Sequence, residues 1–282
     1  MIGITGATGQ LGRLVVEQLK QKVAAKQIVA LVRTPAKATA LGVEAREGDY
    51  GNPAQLKKAL AGVETLLLIS SNELGQRAAQ HRNVIEAAKE AGVTRVVYTS
   101  LLHADRSAIR LLAEEHLATE SDLKASGLHW TILRNGWYTE NYTASIPGAV
   151  AHGAFMGAAG TGKISSATRA DYAAAAAAAL STEGHVGQAY ELAGDQAYSL
   201  EEFAAEISRQ TGKAIPYKHM SEAEYAKVLE RVGLPAQMAQ AYANFDAGAA
   251  QGALFDDGRA LSKLIGRPTT PLAAAVSAVL QN

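Results

Sequence analysis

A glycine-rich segment near the start of the chain sets narrow limits on the fold. Gly6, Gly9 and Gly12 lie between the apolar run Ile2–Thr5 and the segment Gln10–Lys20, whose apolar residues recur at helical spacing. Gly6 permits a tight turn, Gly9 permits close approach of the backbone to a ligand, and Gly12 permits close packing of the helix on the strand. The segment therefore predicts a strand, a tight turn and a helix in immediate succession.

Short apolar runs alternate with helical patterns further along the chain. The pattern that starts after Asn52 combines a capping residue with Pro53 in the first helical turn. The predicted strands are Ile28–Val32, Leu66–Ile69, Val96–Thr99 and Trp130–Leu133, and the predicted helices include residues 52–60, Arg82–Ala91 and Glu114–Ala125. Because short apolar strands separated by helices are typical of a parallel sheet covered on both faces, we predict an α/β fold with a doubly wound, Rossmann-type sheet.

The C-terminal part of the chain has a mostly helical pattern. Capping boxes at Ser199–Glu202 and Ser221–Glu224 each precede apolar residues at helical spacing, and Thr270 and Pro271 open a final helix. We therefore expect a Rossmann domain over residues 1–195 and a smaller, mostly helical lobe on the substrate side over residues 196–282. Residues 135–150 are expected to contribute to the cleft between them.

Composition excludes several classes of function. Lys plus Arg (27) balance Asp plus Glu (27), so the chain has no overall charge that would attract nucleic acid or an anionic membrane. The absence of cysteine removes disulfides, thiolate metal sites and cysteine nucleophiles, and no spacing of His, Asp and Glu resembles a metal site. Since no leader pattern precedes Gly6 and no apolar run is long enough to cross a bilayer, we expect a cytoplasmic protein.

The glycine pattern predicts a dinucleotide site. In a strand–turn–helix context, the start of the helix offers free backbone N–H groups and the positive end of its dipole to a pyrophosphate. The predicted contacts are Gly6, Ala7, Thr8, Gly9, Gln10 and Leu11. The spacing is G-x-x-G-x-x-G rather than G-x-G-x-x-G, and the alternative interpretation is an ordinary glycine turn.

The end of the second predicted strand favours NADPH over NADH. A site for NADH usually has an acidic residue there, on the ribose 2′-hydroxyl, whereas no acidic residue occurs between Glu17 and Glu44. Arg33 occupies that place and can pair bidentately with a 2′-phosphate. Lys37 is a second candidate contact, with a solvated helix position as the alternative.

Two further pairs of residues follow predicted strands. A third predicted strand, between Ile28–Val32 and Leu66–Ile69, ends at Asp49 and Tyr50, which either face the adenine side of the site or act as turn residues before Asn52. Ser70 and Ser71 follow the fourth strand at the carboxyl edge of the sheet, where ligands bind in this fold class. Their backbone is predicted to contact the ribose or the nicotinamide.

Several segments together resemble the short-chain dehydrogenase/reductase superfamily, and more narrowly its atypical NmrA-like branch. They include Gly6–Gly12, Val32–Lys37, Gly48–Tyr50, Ala91–Val93, Tyr98–Ser100, Leu133–Tyr138 and Ile265–Pro268. The similarity spans essentially the whole chain, and within the branch it points to bacterial NAD(P)H:quinone oxidoreductases first and triphenylmethane reductases next. The resemblance implies an NADPH-dependent quinone reductase that works without flavin.

One departure from the superfamily pattern concerns the catalytic acid. Classical members have Tyr-x-x-x-Lys on the helix after the fifth strand, whereas no tyrosine in this chain is followed by lysine four residues later. Alcohol dehydrogenase and ketoreductase activities are therefore disfavoured. Quinone reduction fits this absence, because aromatisation drives it and the protein mainly has to align donor and acceptor and exclude water.

The segment after the sixth predicted strand supplies the candidate acceptor site. Asn135 can hydrogen-bond a carboxamide or a quinone oxygen, and Trp137, Tyr138 and Tyr142 offer flat apolar surface to an aromatic acceptor. We predict Asn135 and Tyr138 as catalytic residues and all four as substrate-binding residues. The alternative is that the aromatic rings seal the lobe against the sheet.

Two histidine–carboxylate pairs are also candidates. His116 and Glu120, four residues apart on one helix, form either a proton relay or, more commonly, a partly exposed surface contact. His103 and Asp105 lie in the loop after the fifth strand, where capping of the loop is the simpler role.

Two other functions fit the same residues. An NADP-binding redox sensor without turnover is compatible with the missing Tyr-x-x-x-Lys, and it would need a partner surface rather than an apolar pocket. Reduction of another flat acceptor, such as a cationic dye, would be favoured by an acidic pocket, for which Glu140 is the nearby candidate.

Overall fold

A computed structural model describes residues 1–281 of the chain. The strands are β1 (Ile2–Thr5), β2 (Ile28–Val32), β3 (Glu44–Glu47), β4 (Thr65–Leu68), β5 (Arg95–Leu101), β6 (His129–Asn135), β7 (Phe155–Gly157), β8 (Gln188–Leu192) and β9 (Tyr217–His219). The α-helices are α1 (Gln10–Lys20), α2 (Pro53–Ala59), α3 (Arg77–Glu90), α4 (Arg110–Ala125), α5 (Glu140–Thr143), α6 (Ile146–His152), α7 (Arg169–Ser181), α8 (Leu200–Thr211), α9 (Glu222–Arg231), α10 (Ala236–Ala250), α11 (Ala260–Ile265) and α12 (Leu272–Leu280).

The main sheet has seven parallel strands in the order β3-β2-β1-β4-β5-β6-β8. Its central strands are mostly apolar, as expected where helices cover both faces, and every residue of β2 is apolar and buried. The chain order reverses between β1 and β4, so the loops that follow these strands open a crevice at the carboxyl edge. The predicted doubly wound sheet is confirmed.

Helices from separate parts of the sequence cover the two faces of the sheet. On one face, α1 and α7 bury Leu11, Val15 and the alanines of α7 against Ile4 and Val97. On the other face, α2, α3 and α4 pack against β2, β4 and β5. Small side chains on α7 permit close contact with α1, which explains the alanine-rich run of the sequence. Among residues 1–281, no helix is long and apolar enough to cross a membrane.

The mostly helical lobe is confirmed and contains a second core. It contains the helices α8, α9, α10 and α12 and the short parallel sheet of β7 and β9. The predicted capping boxes at Ser199 and Ser221 both form. Phe203 of α8 lies at the centre of this core, which also includes Leu101 at the end of β5. The lobe therefore packs against the carboxyl edge of the sheet.

The proposed division at residue 195 is crossed by packing in both directions. Tyr142, Phe155 and other residues that precede it belong to the core of the lobe. Conversely, Leu261 of α11 packs into the core under α7, and Asp171 of α7 binds Arg267 at 2.7 Å. The two-domain description stays a proposal, because segments on each side of residue 195 pack into the core on the other side.

Several elements differ from the prediction. Helices α3 and α4 begin earlier than predicted, and strands β5 and β6 extend beyond their apolar centres. The edge strand β8 and the helix α10 were not predicted. Two of the five residues of β8 are exposed and α10 is rich in alanine, so neither has a clear apolar periodicity.

Candidate active site

The turn between β1 and α1 has the geometry that the glycine pattern predicts. Gly6 adopts a left-handed conformation (φ +59°), and the Gly9 N–H donates to its carbonyl oxygen at 2.9 Å. A Cβ atom on residue 12 would overlap the Gly6 carbonyl oxygen and the backbone of Ala7. The close packing of helix on strand that was predicted for Gly12 is therefore confirmed.

The N-terminus of α1 fits a bound pyrophosphate. Within the described part of the chain no side chain caps this helix, and its first turn carries no acidic residue. The backbone N–H groups and the positive end of the dipole therefore face the crevice without a competing carboxylate. The contacts of residues 6–11 with a dinucleotide stay a prediction that this arrangement supports.

Arg33 follows β2, the strand beside β1. Its side chain is 73% exposed, and its guanidinium lies 3.8 Å from the carboxylate of Glu73, a long and solvated ion pair. Such a pair contributes little stability, so the guanidinium is available to an anion. Lys37 is exposed on the 3-10 helix Pro35–Leu41.

Asp49 and Tyr50 lie in a turn rather than in the third strand, because β3 ends before them. The Asp49 carboxylate accepts a hydrogen bond from the Gly51 N–H at 2.7 Å, which is turn chemistry. The Tyr50 hydroxyl donates to the Ile69 carbonyl at 2.7 Å and lies 2.5 Å from Thr5 Oγ1. Tyr50 thus ties together the carboxyl ends of β1 and β4.

Asn135 ends β6, and its side chain is buried. Within the described residues its Oδ1 atom has no hydrogen-bond partner, although it is inaccessible to solvent. A buried acceptor without a donor costs roughly 1–3 kcal/mol, so the atom points to a donor supplied by a ligand. The arrangement supports the predicted role of Asn135.

Tyr138 lies near Asn135, and its ring is in contact with a charged side chain. Arg169 stacks over this ring, with its guanidinium carbon 4.4 Å from the ring centroid. Burial raises the pKa of Tyr138, while a hydrogen bond from Asn135 and the charge of Arg169 partly oppose that rise. The phenol is therefore protonated at neutral pH and able to donate a hydrogen bond.

Trp137 and Tyr142 both pack into the lobe. The Trp137 ring meets Phe245 of α10 edge to face, with centroids 5.2 Å apart. Tyr142 is 6% exposed, and its hydroxyl donates to the buried carboxylate of Asp246 at 2.9 Å. Tyr142 thus takes the position expected of a residue that seals the lobe, and its contact with an acceptor stays a prediction.

His116 and Glu120 do not form the exposed pair that their spacing suggested. Both side chains are buried, because this face of α4 packs against β5 and β6. His116 Nδ1 lies 2.6 Å from the Tyr98 hydroxyl, and burial keeps its pKa well below the usual value. Glu120 binds Arg134 through both oxygens at 2.8 Å.

The polar side chains of the loop after β5 contact other residues of the chain. His103 adopts a left-handed conformation (φ +51°), and its Nε2 atom lies 3.1 Å from Asp256. Asp105 is exposed and lies 3.4 Å from Arg134. Both contacts agree with the simpler structural role.

The side chains that bind the backbone of Ser70 and Ser71 were not predicted from the sequence. The Ser70 N–H donates to Thr99 Oγ1, and the Ser71 N–H donates to His81 Nε2, both at 2.9 Å. Arg77 and His81 share one face of α3 with Val84 and Ala88, which are buried. The sequence does place Arg77 and His81 at helical spacing with these apolar residues, and this spacing could have predicted that both are buried.

This geometry agrees with known proteins. A protein-family model described as NAD(P)H-binding matches residues 6–183, which is more than half of the chain. The chain belongs to this family.

Three comparisons cover nearly the full length. Quinone oxidoreductase 2 of Escherichia coli (strain K12) is 60% identical over 280 residues, which cover 98% of each chain. The crystal structure of an NADPH-dependent quinone oxidoreductase from Escherichia coli complexed with NADPH superimposes with a TM-score of 0.97, covering 100% of both chains at 60% identity. The Citrobacter sp. triphenylmethane reductase complexed with NADP(H) gives a TM-score of 0.95 at 38% identity, covering 99% of this chain and 100% of that chain. The resemblance inferred from the sequence is confirmed.

Proposed function

We propose that this chain is an NADPH-dependent reductase that transfers hydride to quinone-type acceptors. The observation that carries the proposal is the full-length likeness to the Escherichia coli quinone oxidoreductase that was solved with NADPH. The uncapped helix after the glycine turn and the unpartnered amide oxygen of Asn135 lie at the same edge of the sheet, which supports it. When bound, NADPH supplies a hydride, and a quinone that gains the hydride and one proton becomes a quinol.

The cofactor half of the site has two tasks. The turn at Gly6–Gly12 gives the pyrophosphate a close approach to backbone N–H groups, since no side chain at residues 6, 9 or 12 intervenes. Arg33 offers a guanidinium to the 2′-phosphate, and no acidic residue follows β2 to favour a free 2′-hydroxyl. These features favour NADPH over NADH.

The acceptor half orients a flat ring and offers it a hydrogen bond. Asn135 and Tyr138 lie at the carboxyl end of β6, where the protonated phenol of Tyr138 can donate to the oxygen that becomes negative during reduction. Arg169, stacked on the Tyr138 ring, adds positive potential at that position. Trp137 supplies apolar surface beside them.

A cationic dye fits this site less well than a neutral quinone. Glu140 was the candidate acidic residue, but its carboxylate accepts hydrogen bonds from the Arg169 backbone N–H and lies 3.5 Å from the Arg169 guanidinium. This contact pairs the two charges, so Glu140 offers no free negative charge to a cation. A cationic acceptor therefore gains no charged partner here, whereas a quinone needs only the hydrogen-bond donors of the site.

The test is NADPH oxidation with 1,4-benzoquinone, followed by loss of the nicotinamide absorbance and run beside NADH and a blank without protein. We expect turnover with a clear preference for NADPH. Tyr138→Phe should lower kcat/KM for the quinone about fivefold or more, the loss of one hydrogen bond of about 1 kcal/mol to a developing charge. Tight NADPH binding without turnover of any quinone would instead indicate a redox sensor.

A further inference from the structure

The loop between β4 and α3 lies at the point where the strand order reverses. β4 pairs with β1, so residues 69–76 lie beside the glycine turn. In a sheet of this order, the adenosine half of a dinucleotide lies over β1, β2 and β3, and the nicotinamide half lies over β4 and the strands beyond it. Ser70 and Ser71 are thus on the nicotinamide side.

Both backbone polar groups of Ser71 bind buried side chains of α3. Its N–H donates to His81 Nε2 at 2.9 Å, and its carbonyl accepts from Arg77 Nε at 2.6 Å. His81 is fully buried and Arg77 is 5% exposed. The peptide is therefore held from inside the protein, where water cannot compete for these bonds.

The partners of His81 determine its tautomer. Because Nε2 accepts from the Ser71 N–H, the ring proton is on Nδ1, which lies 2.9 Å from Thr119 Oγ1. The Thr119 hydroxyl can accept this bond, since its own proton goes to the Glu115 carbonyl at 3.0 Å. Burial, and then the charge of Arg77, lower the pKa of His81 to about 3, so the ring stays neutral at physiological pH.

A second set of bonds holds the far end of the same loop. Arg77 Nη1 binds Glu115 Oε2 at 2.8 Å, and Glu115 Oε1 accepts from the Gly75 N–H at 2.9 Å. The loop is thereby connected to α3 and α4 at both ends. The Ser71 peptide and the Gly75 N–H are therefore occupied by bonds inside the protein.

The Ser70 carbonyl, by contrast, has no bond inside the described part of the chain. The bond between Ser70 and Ser71 is a trans peptide, so the Ser70 carbonyl points opposite to the Ser71 N–H and away from His81. Within residues 1–281 neither this carbonyl nor the Ser70 hydroxyl has a hydrogen-bond partner, and Ser70 is only half-buried. The carbonyl is therefore free to accept a hydrogen bond from outside.

We propose that His81 is a positioning residue for the cofactor, which holds the peptide after Ser70 so that the Ser70 carbonyl accepts a hydrogen bond from a donor on the nicotinamide half of NADPH. The proposal rests on the NADPH site described above. The ribose hydroxyls and the carboxamide are the donors available on that half. His81 itself does not touch the cofactor, and it acts through the Ser71 N–H.

Two substitutions of similar size separate positioning from general stability. In His81→Gln the longer side chain can place its oxygen near the position of Nε2 and accept from Ser71. In His81→Asn the shorter amide can reach only toward Thr119. We measure the Kd of each variant for NADPH and for adenosine 2′,5′-bisphosphate, which lacks the nicotinamide half, together with thermal unfolding.

We expect His81→Asn to weaken NADPH binding about tenfold, the value of one hydrogen bond, while its affinity for the bisphosphate changes less than about twofold. His81→Gln should retain NADPH binding within about threefold of the parent on the same grounds. An equal loss of affinity for both ligands would overturn the proposal, because it would indicate a general loosening of the site. Unchanged NADPH binding in His81→Asn would overturn it as well.

Thr119→Val keeps the test decisive if neither amide variant folds. This substitution preserves shape but removes the acceptor of Nδ1–H, so the ring loses the bond that fixes its orientation toward the Ser71 N–H. We expect weaker NADPH binding with an unchanged affinity for the bisphosphate. In the parent, nitrogen-15 NMR of the imidazole should report a proton on Nδ1, and a proton on Nε2 would contradict the proposal. None of these measurements uses a quinone, so a failure of the reductase function leaves them interpretable.

Discussion

The positive charge of Arg33 is hardly neutralised by other residues of the chain. Its guanidinium is mostly solvent-exposed and 3.8 Å from Glu73, so little of its charge is neutralised. Arg33→Ala should therefore weaken binding of NADPH and leave that of NADH unchanged. Charge-assisted bonds to phosphate contribute roughly 1.5–3 kcal/mol, so KM for NADPH should rise on the order of tenfold to a hundredfold. Steady-state kinetics with both cofactors measure this ratio.

Lys37→Ala is the matched control for Arg33. Lys37 is also a cation near the end of β2, but it lies on the exposed 3-10 helix. We expect a change in KM for NADPH of less than about threefold, as for a solvated charge. Equal effects of the two substitutions would mean that a general positive potential, rather than Arg33, selects the 2′-phosphate.

At the scale of elements, α10 is joined to the lobe through a buried carboxylate. Asp246 is 4% exposed and accepts from the Tyr142 hydroxyl at 2.9 Å and from the Ala158 N–H at 3.0 Å. Tyr142→Phe removes one donor from a carboxylate that water cannot reach. The free energy of unfolding should fall by roughly 1–3 kcal/mol in urea denaturation, whereas kcat/KM for a quinone should stay within about twofold.

Tyr242→Phe makes the same exchange at an exposed position of α10. Tyr242 is 41% exposed, so loss of its hydroxyl should leave the free energy of unfolding within about 0.5 kcal/mol. If Tyr142→Phe instead reduces turnover with no loss of stability, Tyr142 contacts the acceptor, as the sequence suggested.

For the molecule as a whole, buried histidines couple stability to pH. His81 and His116 are neutral in the folded chain, since burial lowers both pKa values from about 6.5 in the unfolded state. Below pH 6.5 the unfolded state therefore binds more protons than the folded state, and stability falls as the pH falls. Between pH 7 and pH 5 the two histidines should together remove about 4 kcal/mol from the free energy of unfolding.

Urea denaturation across this pH range measures the effect, and His81→Gln provides the comparison. Without one titrating ring, the contribution of the two buried histidines should fall by about half, to about 2 kcal/mol. Burial raises the pKa of Asp246, whose contribution has the opposite sign and is the same in both proteins. Glu120 has a lowered pKa and contributes at more acid pH, outside this window. The same pH dependence in His81→Gln and in the parent would show that the His81 ring takes up its proton without unfolding.

The sequence by itself determined the features that depend on local physics. The order of most strands and helices from β1 to β6 follows from apolar periodicity, and the caps at Asn52, Ser199 and Ser221 follow from hydrogen bonds that span only three residues. The turn at Gly6–Gly12 is equally local, because glycine alone tolerates its left-handed residue and its close contact. The edge at which Ser70 and Asn135 lie follows from the topology of parallel strands.

Only the tertiary structure decided which side chains meet. The partners of His81 are 10 and 38 positions away, and the Tyr142–Asp246 bond joins residues 104 positions apart. His116 and Glu120 have ideal spacing for a helical pair, yet burial of their helix face gives each a partner on a strand. Spacing along one helix predicts neighbours on that helix, whereas the burial of a polar group and the donor it finds depend on how separate elements pack.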